Sequence, residues 1–313
     1  MEKSIKIKLF NPIKLFGPSD TFLKLIEFEF SVLIIYRNDK IKVKGKSVNI
    51  DKAIKVLTEI NEIINKKGNV NSTNIKDLIM IVNSKNIKSA SSFKELSSSI
   101  YHGKKGNIFP RTKGQLKSIK VIKENDLSFL TGPAGTGKTF LSIVFAMASL
   151  EKNEVDKIIL CRPAVEAGEN LGFLPGDLKE KIDPYLTPLY ESLDKLLSKN
   201  KLKDLFSKSI IEIVPLAYMR GRTLENSFII LDEAQNSTAM QMKMFLTRLG
   251  IGSKAVITGD ITQVDLKKNS HSGLIQAINI LKDINGIGFY KLSREDVVRH
   301  ALVKSIIKAY DEK

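Results

Sequence analysis

The chain has 313 residues, 42% of them hydrophobic, which is enough to fill ordinary cores and, at about 150 residues per domain, to form roughly two domains. Lysine and arginine number 50 against 34 acids, and +14 of the net +16 charge lies before residue 126, where 25 basic residues stand against 11 acidic ones. No apolar run approaches membrane-spanning length, and Lys3, Lys6, Lys8 and Lys14 break up any signal-like segment, so a cytoplasmic protein with no membrane partner is expected. The single cysteine, Cys161, excludes an internal disulfide, and three histidines form no cluster at zinc spacing. A basic first part suggests a polyanion partner, most simply RNA or DNA; a composition biased toward lysine, forming a solvated face, explains the same numbers.

In chain order, Ser4 to Phe10 reads as a strand, and Ser19 or Asp20 as the cap of a helix carrying Phe22, Leu23, Leu25 and Ile26. Phe30 to Tyr36 is an apolar strand-like run, Asn38-Asp39 marks a turn, and Ile41, Val43 and Gly45 belong to a second run. Asp51 to Ile64 reads as an amphipathic helix, its Ala53, Ile54, Val56, Leu57, Ile60, Ile63 and Ile64 recurring at 3, 4 and 7 intervals. Asn71 to Asn83 reads as another helix. Residues 1–83 are therefore expected to be a small basic α+β module. Its order of helix, strand, turn, strand and helix resembles the later part of a KH-type RNA-binding domain. That resemblance calls for G-x-x-G between two helices, and Gly17, Pro18, Ser19 and Asp20 lack the second glycine. Residues 84–114, rich in Ser, Lys and Gly, read as a linker. Gln115, 17 residues before Gly132, is chemically able to donate and accept toward an adenine edge, and reads equally as an exposed linker glutamine.

Leu127 to Thr131 is a short apolar strand, and Phe140 to Leu150 carries Leu141, Val144, Phe145 and Ala148 at helical spacing. Between them Gly132, Pro133, Ala134, Gly135, Thr136, Gly137, Lys138 and Thr139 fit G-x-x-x-x-G-K-[ST] at every required position. Glycines there let successive N–H groups converge on phosphate oxygens, and the opening helix turn adds its positive dipole end. Lys138 is expected at the β- and γ-phosphates of ATP and the Thr139 hydroxyl on Mg2+.

Lys157 to Cys161 reads as the next strand, followed by Arg162 and Pro163 and a loop holding Glu166, Gly168 and Gly172. Tyr185 to Leu197 reads as a helix whose start is limited by Pro184 and Pro188, and Ile210 to Val214 as a strand. Phe228 to Leu231 is a buried-strand pattern ending in Asp232 and Glu233, about 95 residues beyond the P-loop. An acid at that strand end holds magnesium, and its neighbour is placed to orient or deprotonate the attacking water. Ala255 to Thr258 reads as a further strand leading to Asp260 and Gln263; Gln263 is a candidate sensor of hydrolysis, the alternative being a turn built by Gly259 and Asp260.

The stretches "GPAGTGKT", "RPAVEAGENLGFLPGDLKEKIDPYLTPLY", "PLAYMRGRTLENSFIILDEAQN", "QMKMFLTRLGIGSKAVITGDITQVDL" and "DVVRHALV", spanning roughly residues 110 to 310, resemble the PhoH family of P-loop ATPases. The resemblance implies an α/β, RecA-like P-loop NTPase with a largely parallel sheet over residues 115–313, related to superfamily 1 helicases. It also implies a role in phosphate starvation or RNA metabolism and a link to an rRNA-processing endonuclease. Some relatives carry a PIN nuclease; Asp20, Asp39, Asp51 and Asp77 show no paired arrangement for metal-dependent cleavage, so no nuclease activity is expected. The length allows one RecA-like domain, so either a homo-oligomer, such as a ring, completes the site or the protein is not a processive helicase. Arg299 in "VVRH" resembles the γ-phosphate-contacting arginine of helicase-like cores; Arg294, Arg220, Arg222 and Arg162 are the other candidates, with "MRGRTL" able to act in trans. Mg2+-dependent ATP hydrolysis coupled to single-stranded RNA is the expected function. The alternative is an ATP-dependent switch that recruits a protein partner without unwinding RNA.

Overall fold

The computed structural model describes residues 1–6, 12–37, 40–67, 70–83, 99–163, 178–266 and 271–298. The chain divides into two compact units, Met1–Lys113 and Gly114–Lys313.

In the first unit β1 (Glu2–Lys6), β2 (Leu33–Arg37) and β3 (Lys40–Lys44) form an antiparallel sheet in the order β1-β3-β2. The central strand reads Lys-Ile-Lys-Val-Lys. Its period of two sends Ile41 and Val43 into the core and leaves the three lysines exposed. Helices Thr21–Phe30, Ser47–Lys67 and Ser72–Asn83 supply the rest of that core through Phe22, Ile26, Ile50, Leu57, Ile60 and Leu78.

Three local expectations are corrected. Phe30 closes a helix and does not open a strand, because Phe22, Leu23, Ile26 and Phe30 share one buried face; the chain then turns at Ser31, in the left-handed region, and β2 begins at Leu33. Asp20 precedes the helix with φ 60° and makes no side-chain cap. Within the stretch expected as linker, β4 (Tyr101–Gly103) and β5 (Gly106–Ile108) form a hairpin. Buried Asn74 donates to the Asn107 carbonyl at 2.7 Å, and Asn71 donates to that of Lys105, so the hairpin is tied to the helix Ser72–Asn83.

The second unit is built on six strands, β6 (Leu127–Thr131), β7 (Lys157–Arg162), β8 (Ile211–Pro215), β9 (Ser227–Leu231), β10 (Lys254–Gly259) and β11 (Ile287–Lys291). All pair in parallel, in the order β11-β6-β10-β9-β7-β8. Every residue of β6 and β9 is buried, as expected of a parallel sheet covered on both faces. This is the α/β, RecA-like P-loop architecture. The order matters for the site, since β10 lies between the P-loop strand β6 and the acid-bearing strand β9. The carboxyl ends of all six strands lie along one edge, where open α/β sheets bind ligands.

The helix expected from Tyr185 runs Leu178–Leu196, through Pro184 and Pro188. Burial of Leu186, Leu189, Leu193 and Leu196 on its apolar side outweighs the lost backbone bonds, which cost about 3 kcal/mol for an interior proline.

Candidate nucleotide site

Backbone geometry makes the P-loop. Gly132, Gly135 and Gly137 all have positive φ, at 141°, 81° and 85°. At Gly132 a Cβ would lie 2.5 Å from the Leu292 carbonyl oxygen, so the residue after β11 leaves room for nothing larger than glycine. The helix Lys138–Glu151 starts directly on Gly137 and aims its N-terminal dipole into the loop. Lys138 Nζ donates to the carbonyls of Gly132 at 2.6 Å and Pro133 at 3.0 Å, and phosphate oxygens would replace these acceptors. Burial lowers the Lys138 pKa, with Asp260, Glu233 and Asp232 opposing it.

Two more segments hold the loop in place. Gln115, on the first turn of the helix Lys113–Glu124, is buried and donates its amide to the Thr136 carbonyl at 2.9 Å. The segment after β11 bonds the loop twice, Leu292 N–H to Thr131 O at 2.7 Å and Val298 N–H to Gly135 O at 3.0 Å. Asp296 joins the two supports. This buried carboxylate accepts from Gly114 N–H at 3.1 Å, Ser293 N–H at 2.9 Å and the Ser293 hydroxyl at 3.1 Å.

The acid pair stands across from the P-loop. Asp232 Oδ1 accepts from the Thr139 hydroxyl at 2.5 Å and from the Thr258 hydroxyl at 2.7 Å. The register that pairs Ile257 with Leu231 is what puts Thr258 beside Asp232. Glu233, at φ 52° on a tight turn, faces Arg162 at 3.4 Å and accepts from Gln235 Nε2 at 2.6 Å. Gln235 Oε1 in turn accepts from the Asp260 N–H at 3.0 Å, linking the Glu233 turn to the loop after β10. A second clasp joins the same segments, Asp265 N–H to Asn236 Oδ1 at 2.9 Å. Gln263 sits between the clasps, with its backbone N–H on Asp260 O and its side chain exposed.

The chain is similar to several known proteins. The family model described as "PhoH-like protein" matches residues 107–311. The chain belongs to the PhoH-like family. Its PhoH-like relative from Bacillus subtilis (strain 168) is 48% identical over 97% of this chain and 96% of that protein. The PhoH-like protein of Mycobacterium bovis is 44% identical over 95% of this chain and 84% of that one. Protein PhoH of Escherichia coli K12 is 45% identical over 65% of this chain and 58% of its own length. Among solved structures, the Sulfolobus solfataricus SWI2/SNF2 ATPase core in complex with dsDNA aligns at 15% identity and TM-score 0.38, covering 63% of this chain and 46% of that one. The UvsW helicase from Bacteriophage T4 aligns at 14% identity and TM-score 0.38, covering 76% and 78%.

This PhoH-like chain thus brings Lys138, Thr139, Asp232 and Glu233 to one edge of one sheet. Of the arginines, Arg162 pairs with Glu233 and donates to the Tyr185 carbonyl at 2.8 Å, and Arg222 pairs with Glu212 at 2.8 Å. Arg220 is exposed and Arg294 opens the short turn Arg294–Asp296. Arg299, His300, Glu166, Gly168 and Gly172 lie outside the described residues. Thr258, Gln235 and Asp296 were not among the expected site residues. Only Gln235 carries a sequence signal, an amide two positions beyond an acid pair. Buried Cys161, its thiol pKa raised by burial, is a core residue with no part in the site. Among the described residues no helix is long and apolar enough to cross a membrane.

Proposed function

We propose that this PhoH-like chain hydrolyses ATP with magnesium and couples the reaction to RNA. The observation that carries the reading is the 2.5 Å contact of Thr139 with Asp232, which unites the P-loop hydroxyl with the first strand-end acid. These two oxygens fit Mg2+, an ion that takes few protein ligands and completes its shell with water and phosphate. Once bound, the ion would neutralise charge on the β- and γ-phosphates.

The loop N–H groups and Lys138 hold the phosphates, and Thr139 and Asp232 hold the ion. Glu233 accepts a proton from the attacking water, with Arg162 and Gln235 fixing its carboxylate. Gln263, between two clasps on the Glu233 turn, reports hydrolysis to the bound polymer. Arg299 is the arginine assigned to the γ-phosphate in cis, on its resemblance to the corresponding arginine of helicase-like cores. Gln115, held at Thr136, positions the loop beside the base. A second subunit would supply the partner surface that superfamily 1 enzymes draw from a second RecA-like domain. The rRNA-processing endonuclease rests on the family resemblance.

The test is the ATPase rate of the full chain with and without single-stranded RNA, alongside Lys138→Ala and Glu233→Gln. RNA is expected to raise the wild-type rate. Lys138→Ala should abolish turnover, and Glu233→Gln should bind ATP but turn over about 10² to 10⁴ times more slowly. Wild-type turnover in both variants removes the assignment. An RNA-insensitive rate with ATP-dependent capture of a protein partner favours a recruiting switch.

A further inference from the structure

We infer that the open face of the first unit's sheet binds the phosphate backbone of single-stranded nucleic acid. This rests on the RNA-coupled reading and gives that partner a surface. The face is defined by register. Glu2, Lys44 and Leu33 form one cross-strand row, Ser4, Lys42 and Ile35 the next, and Lys40 and Arg37 stand in the third. The opposite face carries Ile34, Ile41 and Val43 into the core.

Charge separates this face from an ordinary solvated one. Among the described side chains of the face, four cations, Arg37, Lys40, Lys42 and Lys44, stand against a single acid, Glu2, which bridges Lys42 and Lys44 at 3.2 Å each. Both lysines flanking Glu2 keep half of their side-chain surface in solvent and lower its pKa, Lys44 most. Lysines commonly protect exposed sheet edges, but β3 is the central strand and has no free edge to protect. Lysine is also a poor strand former, and three of one sign on alternate positions repel. A bound polyanion relieves that repulsion.

The spacing suits an extended strand of nucleic acid. Alternate β residues recur at about twice 3.4 Å, so the lysines form a regular row along one direction. Leu33, 53% exposed, and half-buried Ile35 give this row an apolar flank on which sugars or bases can rest. With no aromatic side chain among the described residues of the face, contact is by phosphate and independent of sequence. The loop Gly17–Asp20 between the two helices is the rival surface. It offers the acid Asp20, and Lys24 beside it donates to the Ser19 carbonyl at 3.2 Å, so its electrostatics favour a polyanion far less.

The experiment measures anisotropy of fluorescent oligouridylate and oligothymidylate across a salt series, using the full chain. Lys40→Thr/Lys42→Thr/Lys44→Thr keeps strand-forming residues on the solvent side. It is expected to weaken binding at low salt at least tenfold and to flatten the log–log salt slope by about 2, since each single-strand phosphate contact contributes roughly 0.7. Its ATPase rate without nucleic acid should match wild type. Glu2→Gln is the companion variant and should tighten binding, which no folding defect would do. Unchanged affinity and slope in the triple variant, with wild type binding normally, overturn the surface but leave RNA coupling standing. Wild-type protein that binds neither oligonucleotide overturns both readings. Binding only to phosphatidylglycerol vesicles does the same, by naming a membrane partner.

Discussion

Glu233 keeps 37% of its side-chain surface in solvent, yet its position is set by its neighbours. Its left-handed turn, the Arg162 ion pair and the Gln235 amide fix the carboxylate from three directions. Gln235 is the member with two duties, because its other amide atom accepts from the Asp260 N–H at the end of β10. Gln235→Ala removes both bonds and strands that buried N–H, which costs about 1–3 kcal/mol. We expect the urea midpoint to fall accordingly. The ATP KM should stay near wild type, because Gln235 touches no phosphate-binding group. The kcat should drop about tenfold, since a misaligned base slows proton transfer while binding is unaffected. A raised KM with unchanged kcat would place Gln235 in binding.

At the scale of elements, the P-loop is held by a frame that is far from it in sequence. Asp296 accepts from the start of one helix and from the turn after β11, and each of those segments bonds the loop, through Gln115 and through Val298. Asp296→Asn keeps the shape but replaces a charged acceptor by an amide; hydrogen bonds to charged groups contribute about 1.5–3 kcal/mol. If Asp296 is a positioning residue, the ATP KM should rise about tenfold or more with kcat within a few-fold, and Asp296→Glu should recover part of the affinity. Gly114→Ala should reproduce the defect, since its Cβ would lie 2.3 Å from Asp296 Oδ1. Equal loss of kcat and stability with unchanged KM would make the frame merely structural. This frame also shows where sequence reading stops. The P-loop and the strand-end acids were legible because glycine, lysine, hydroxyl and carboxylate are needed at fixed local spacings. Five of the six strands were legible as short apolar runs, the inner ones because a parallel sheet buries both faces; the edge strand Ile287–Lys291, only partly buried, was not among them. Gln115 lay in a polar stretch with no periodic signal, and only the fold carries it to Thr136. Thr258 meets Asp232 through a register between strands, which no local pattern encodes. The helix at Tyr185 was legible, but Pro184 and Pro188 misdirected the reading of its start, which the structure places at Leu178.

At the scale of the whole molecule, the two units are expected to respond to different perturbations. Nucleotide should stabilise the second unit by about 2.7 kcal/mol when present at a hundred times its Kd. The first unit carries a pH-sensitive group instead. Asp77 on the helix Ser72–Asn83 has its pKa raised from 3.8 by burial, partly offset by Arg111 at 2.8 Å. A carboxyl whose folded pKa is raised binds its proton more tightly when folded. Its contribution to stability is therefore complete below the unfolded value and is lost as pH rises through the raised one. Urea unfolding is expected to show two transitions. One should move with ATP and magnesium and disappear from that response in Lys138→Ala. The other should weaken as pH rises from about 4, and Asp77→Asn, which cannot ionise, should flatten that slope while leaving the nucleotide-linked transition in place. A single transition that moves with both ligand and pH would show that the units unfold as one. An unchanged slope in Asp77→Asn would assign the pH dependence to other carboxylates.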